Sequence, residues 1–185
     1  VEQIKIERNE NVKFLPIKVA EIFPNLLKYE AQRCSISKIS KENFRGLRKL
    51  DVIRLESNQI EEIEENSFDD QTELNFLYLA WNKIKKLNEN LFRNLRKLEE
   101  LYLHRNQLTS LPPNIFANLV ELNWILLDDN QLTSLTERHF RNNKKLESIW
   151  LNGNKINSLD AKMFDSMPNL RYVYLRWNEC IDEEY

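Results

Sequence analysis

Apolar and polar positions repeat along this chain at a fixed interval. Leu26, Leu50, Leu74, Leu98, Leu122, Leu146 and Leu170 stand 24 residues apart, and each opens the pattern L-x-x-L-x-L-x-x-N or a near variant. The copy at Leu98 shows the pattern in full, with Leu98, Leu101, Leu103, Asn106, Leu108, Leu111, Phe116 and Leu119. A first copy from Val1 carries Ile4, Ile6 and Asn9 and runs to 25 residues. An eighth begins at Leu170 and runs into the acidic Asp182-Glu183-Glu184. Self-similarity at such a period is the mark of a solenoid. Residues 1–185 are therefore expected to form a single domain, with repeats starting near 1, 26, 50, 74, 98, 122, 146 and 170.

Each column has a physical reading. The L-x-L core has period two, so it predicts a short strand with its leucines inward and their neighbours outward. One copy buries too little apolar surface to stand alone, so stability comes from stacking parallel strands side by side. The polar column is Asn9, Asn58, Asn82, Asn106, Asn130, Asn154 and Asn178, with Cys34 replacing it once. A buried amide without partners costs about 1–3 kcal/mol, so these side chains are expected to bond backbone groups of adjacent turns as a ladder. Phe44, Phe68, Phe92, Phe116, Phe140 and Phe164 share one offset and predict a second spine beneath the convex side.

The 24-residue unit L-x-x-L-x-L-x-x-N-x-L-x-x-L-x-x-x-x-F resembles the leucine-rich repeat superfamily over the whole chain. It looks like the typical extracellular subclass of Toll-like receptors, Slit, lamprey variable lymphocyte receptors and insect leucine-rich immune proteins. That resemblance implies an α/β solenoid: a horseshoe with about eight parallel strands on its concave face and irregular or short helical segments on its convex side. It also implies a secreted or extracellular setting, binding by the concave surface, and a place in innate immunity. The stretch from Tyr174 to Asp182 looks most like secreted insect members. Cysteine-rich caps, usual in extracellular relatives, are missing at both ends.

Composition narrows the classes without choosing a partner. The net charge is −2, which exerts no bulk pull toward nucleic acid or anionic lipid. No apolar run approaches the roughly 18 residues that a membrane span needs. The start at Val1 carries no leader, so the chain reads as a mature protein or a fragment. Cys34 and Cys180 lie six strand spacings apart, roughly 29 Å, beyond the reach of about 7 Å that a disulfide allows. Cys34 reads as a buried thiol. Cys180 reads either as another or as half of a bridge to a C-terminal cap beyond Tyr185. No N-x-S/T sequon is present.

The functional signal lies in the outward columns. The central column reads Lys5, Glu30, Arg54, Tyr78, Tyr102, Leu126, Trp150, Tyr174, and the one two residues earlier Gln3, Lys28, Val52, Phe76, Glu100, Trp124, Ser148, Tyr172. Just before the Asn column stand Arg8, Arg33, Ser57, Trp81, Arg105, Asp129, Gly153 and Trp177. All four tryptophans occupy these outward columns and none a core position. Aromatic residues with a polar handle dominate binding hot spots, and several together exceed the apolar patch of an ordinary monomer. Phe76, Tyr78, Trp81, Tyr102, Trp124, Leu126 and Trp150 are the expected partner site, extended by Tyr172, Tyr174 and Trp177 unless a cap covers these last three. The competing reading is that the rings cover one another as cross-strand pairs.

His104, Arg105, Asp128 and Asp129 flank the patch as a polar rim that fixes orientation. His104 and Asp128 are one strand apart in one column, a spacing that allows a hydrogen bond. A second histidine ligand is lacking, because His139 falls near the Phe spine. With no nucleophile, base and orienter grouping, no phosphate loop and no metal set, neither an enzyme nor a cofactor is expected. The leading expectation is an extracellular recognition or adhesion module holding a protein partner or ligand in its concave face. An intracellular adaptor and a concave-face homodimer are the alternatives. Nucleic acid and a membrane span are not expected.

Overall fold

The computed structural model describes residues 1–160 and 162–179, so Cys180, the acidic tail and any bridge from Cys180 lie outside the described residues. Eight strands form one parallel sheet in chain order: Gln3–Glu7, Lys28–Gln32, Val52–Arg54, Phe76–Tyr78, Glu100–Tyr102, Trp124–Leu126, Ser148–Trp150 and Tyr172–Tyr174. The register advances by one repeat at every step, pairing Tyr78 with Tyr102 and Tyr102 with Leu126. The extra residue of the first copy is absorbed in the loop between the first two strands, since every pair from Gln3–Lys28 to Glu7–Gln32 is in register.

Inward leucines and the aromatic spine fill the interior. Leu77, Leu79, Leu101, Leu103, Ile125, Leu127, Ile149 and Leu151 are fully buried. On the opposite side Phe44 stacks on Phe68 at 5.8 Å, Phe92 on Phe116 at 6.5 Å and Phe116 on Phe140 at 5.5 Å between ring centroids. The convex side holds the four-residue helices Val19–Ile22, Glu137–Phe140 and Lys162–Asp165. Two small parallel pairs, Lys38–Ile39 with Glu62–Ile63 and Ser134–Leu135 with Ser158–Leu159, stitch neighbouring convex turns. Architecture and convex segments are as the repeat predicts.

The asparagine ladder forms as expected. Asn106 donates from Nδ2 to the carbonyls of Leu79 and Leu103, each at 3.0 Å, while its Oδ1 accepts the amide of Ile84 at 3.0 Å. Asn58, Asn82, Asn130, Asn154 and Asn178 repeat this geometry. At the substituted rung the Cys34 thiol is buried and donates to the carbonyl of Gln32 at 3.4 Å. Asn9 is exposed, and its side-chain Oδ1 accepts the amide of Asn11.

A second, interrupted ladder is present beside the Phe spine. Asn43 donates to Leu15 O at 3.0 Å, Ser67 to Ile39 O at 3.5 Å, and His139 Nε2 to Leu111 O at 3.2 Å, each reaching back 28 residues. His139 Nδ1 accepts the Thr136 amide at 3.0 Å, which fixes its tautomer and closes the helix at Glu137 with a capping box. His139 is thus a structural side chain adjoining Phe140. The signal in the sequence was the polar residue just before Phe where other copies place Leu91, Ile115 or Met163.

Candidate binding surface

Strand alternation sends the aromatic columns onto the concave face, and there the rings form two stacks rather than a continuous row. Tyr78 lies on Tyr102 at 4.4 Å with 22° between ring planes, and the guanidinium of Arg54 covers the other face of the pair at 4.3 Å from the Tyr78 centroid. Trp150 lies over Tyr174 at 4.1 Å, and Tyr172 and Tyr174 are 6.4 Å apart. Leu126, half-buried, separates the two stacks. The cross-strand covering that competed with binding is therefore real for these rings, and Tyr78, Tyr102, Phe76 and Tyr174 are only half-exposed. It is incomplete for others: Trp81 is 50% exposed, Trp124 47%, Tyr172 55% and Trp177 78%.

Trp124 has no aromatic neighbour in contact. Its column places Glu100 on one side and Ser148 on the other, and both are engaged elsewhere. The Tyr102 hydroxyl donates to Glu100 Oε2 at 2.7 Å, and Trp150 Nε1 donates to Ser148 Oγ at 2.8 Å. These bonds also explain why Ser148 is buried despite its outward position.

The third column departs from the sequence reading. Arg8, Arg33, Ser57, Trp81, Arg105, Asp129 and Trp177 all adopt φ between 51 and 59°, and Gly153 adopts φ 65°. This is the left-handed region, which non-glycine residues enter at a cost. The strands have ended by then, and this column forms a ridge along one edge of the face, where the chain turns sharply into the ladder asparagine. Arg8 and Arg33 take the same turn ahead of Asn9 and Cys34, which make none of the asparagine ladder bonds, so the turn belongs to the repeat unit and does not require the ladder. On the ridge, Arg105 covers the Trp81 ring at 4.0 Å and pairs with Asp129 at 3.0 Å.

The expected His104–Asp128 hydrogen bond is absent. Asp128 Oδ1 instead accepts the Asn152 amide at 2.9 Å, and Asn152 Oδ1 accepts the Arg176 amide at 2.9 Å. In this column Asp128 and Asn152 each cap the next rung's backbone, whereas Gln32 and Glu56 bond each other. His104 Nδ1 is buried without a partner. Burial lowers the pKa of His104 and raises those of Asp128, Glu56, Tyr78 and Tyr102. The sites expected to orient a partner are thus a neutral imidazole and a partly desolvated carboxylate.

Beside the first stack lies a depression of about 350 Å³ lined by Glu7, Gln32, Arg33, Glu56, Ser57, Tyr78, Ala80, Trp81, Tyr102 and His104. The sequence reading placed only Tyr78, Trp81, Tyr102 and His104 of these in a site. Its origin was legible once the copies were aligned. Ala80 is the one small side chain in a column otherwise holding Glu7, Gln32, Glu56, His104, Asp128, Asn152 and Arg176. Among the described residues no cluster of His, Cys, Asp or Glu is arranged to hold a metal, and no helix is long and apolar enough to cross a membrane.

Comparison with known proteins agrees with this architecture. The chain is similar to the crystal structure of a TLR13–ssRNA13 complex, with a TM-score of 0.89 and 27% identity, covering 97% of this chain and 25% of that one. It is similar in fold to the crystal structure of the APL1 leucine-rich repeat domain, with a TM-score of 0.82 and 22% identity over 95% of this chain and 46% of that one. The chain thus spans a quarter and under half of those two lengths. No curated protein matches the sequence. The sequence profile for the leucine rich repeat matches residues 32–84, 79–132 and 121–179. With that profile running through most of its length and the ladder, spine and sheet all in place, the chain belongs to the leucine-rich repeat family.

Proposed function

We propose that this protein is a non-enzymatic recognition module that binds a protein partner or ligand through its concave face, acting outside the cell in innate immunity. The observation that carries the reading is the placement of Trp81, Trp124, Trp150 and Tyr172 on one exposed surface while leucine and phenylalanine fill the core. An indole carried on a rigid parallel sheet loses less ordering entropy on association than one on a mobile loop. Trp124 is the anchor, since it is 47% exposed and no ring among the described residues stacks on it. Phe76, Tyr78, Tyr102, Leu126, Trp150, Tyr172, Tyr174 and Trp177 extend the contact, and His104, Arg105 and Asp128 orient it. The fold shared with TLR13 and APL1 supports the immune setting.

A protein is favoured over a nucleic acid by charge. The TLR13 structure is a complex with ssRNA, but here Lys5, Arg8, Lys28, Arg33, Arg54, Arg105 and Arg176 are nearly balanced by Glu7, Glu30, Glu56, Glu100, Asp128 and Asp129. Phosphate binding needs an unbalanced basic surface.

The test begins with the solution mass by light scattering at micromolar concentration under reducing conditions. A monomer is expected. A dimer that Trp124→Glu dissolves would reassign the face to self-association. Immobilised protein is then exposed to extracellular fluid, with Trp124→Glu and the convex Lys85→Glu as comparators. A species retained by the wild type and by Lys85→Glu but lost with Trp124→Glu is the expected result. Equal retention by all three would remove the concave face from the function.

A further inference from the structure

We infer that the depression at Ala80 is a subsite for a neutral saccharide ring, an inference that rests on the concave face being the binding surface and names the chemistry of one part of it. The depression exists because two small residues, Ser57 and Ala80, adjoin on consecutive rungs. Glu56 and His104 stand on either side of Ala80 in its column, two strand spacings or roughly 9.5 Å apart. Trp81 forms one wall: Arg105 covers one of its faces, and half of its surface is exposed. Tyr78 and Tyr102 form the opposite wall.

The lining specifies a guest with three properties. Charge is balanced, with Arg33 among the lining groups against Glu7 and Glu56, and with Glu7 already paired to Lys5 at 3.2 Å. That excludes a strongly charged guest, whose desolvation would go uncompensated. Donors and acceptors are mixed. Glu56 Oε2 accepts from Gln32 Nε2 at 3.0 Å, while its Oε1 has only a 3.8 Å contact with Arg54. His104 Nδ1 is buried and unpartnered. The guest must therefore offer several hydroxyl or amide groups, each able to donate and accept. Finally, the indole wall needs an apolar face opposite it. A pyranose ring has a polar rim and an apolar C–H face, and it meets all three requirements.

The probe set is the methyl glycosides of glucose, galactose, mannose and N-acetylglucosamine, read by saturation-transfer difference NMR on the intact protein at millimolar ligand. At least one glycoside is expected to take up saturation. Ala80→Gln, which fills the depression, should weaken that glycoside about tenfold. The column already carries Gln32 two rungs away, so the variant keeps a tolerated side chain, and an unchanged melting temperature confirms its fold. Lys85→Glu, exposed on the convex side, should leave the glycoside bound. No transfer to any of the four, or transfer that Ala80→Gln leaves intact, overturns the saccharide subsite. Binding of N-acetylglutaminamide in their place would also overturn it, by assigning the depression to a partner's side chain. A glycoside held at Ala80 in a protein whose partner ignores Trp124→Glu would defeat the aromatic-face reading and leave this one standing.

Discussion

Asn106 Nδ2 donates to the carbonyl of Leu79, 27 residues earlier, at 3.0 Å, and so fastens one turn of the solenoid to the turn before it. The same amide also satisfies Leu103 O and Ile84 N. One side chain thus serves three backbone groups in an apolar interior that offers them no water. Asn106→Ala leaves the Ile84 amide without a partner, while Leu79 O keeps Asn82 Nδ2 at 3.1 Å and Leu103 O keeps Asn130 Nδ2 at 3.0 Å. At about 1–3 kcal/mol for that one unsatisfied buried donor, the expected loss is about 1–3 kcal/mol, measured as a shift in the urea unfolding midpoint. A loss below about 1 kcal/mol would mean that water or backbone rearrangement replaces the ladder.

Gly153 occupies the left-handed ridge beside Asp129. A Cβ there would sit 2.5 Å from Asp129 Oδ1, and φ is 65°. Seven other ridge residues tolerate similar dihedrals with side chains, so the contact with Asp129 is the specific constraint. Gly153→Ala is expected to destabilise by about 1 kcal/mol, and Asp129→Ala in the same molecule to recover part of that loss. Strictly additive single effects in a double-mutant cycle would show that the backbone conformation alone is responsible.

Trp124 and Leu127 lie three residues apart on opposite sides of the sheet. Leu127 is fully buried, while Trp124 is 47% exposed and has no stacking partner. Leu127→Ala should cost about 2–5 kcal/mol as a core truncation. Trp124→Ala should leave the melting temperature within a few degrees of wild type while abolishing partner retention. A large thermal loss in Trp124→Ala would place the indole among the structural side chains.

Glu56 gives a pH signature. Burial holds its folded pKa above the ordinary carboxylate value, so the folded state binds the proton more tightly than the unfolded chain. Stability from this group is present below the unfolded value and is lost as pH rises through the raised folded value. Glu56→Gln removes the buried charge and keeps an oxygen able to accept from Gln32. The variant is therefore expected to match wild type near pH 4 and to exceed it in melting temperature at pH 7.5. A variant less stable than wild type at pH 7.5 would show that the contact with Arg54 outweighs desolvation.

The order of the solenoid was fixed by the 24-residue spacing, because a repeat that cannot bury its own leucines has only its neighbours to bury them against. The ladder followed from the same logic, since an amide at an inward position must find backbone partners. Both are local or nearest-neighbour consequences, and they were legible in Leu101, Leu103 and Asn106 before any coordinates. Tertiary structure alone decided how the outward side chains share the concave face. Whether Tyr78 is exposed depends on Arg54 and Tyr102, 24 residues to either side, and on the rotamers that bring them into contact. The use of Asp128 to cap Asn152 instead of meeting His104 and the depression opened by Ala80 both arise between rungs. Such contacts depend on how adjacent copies differ, whereas a repeat pattern records what they have in common.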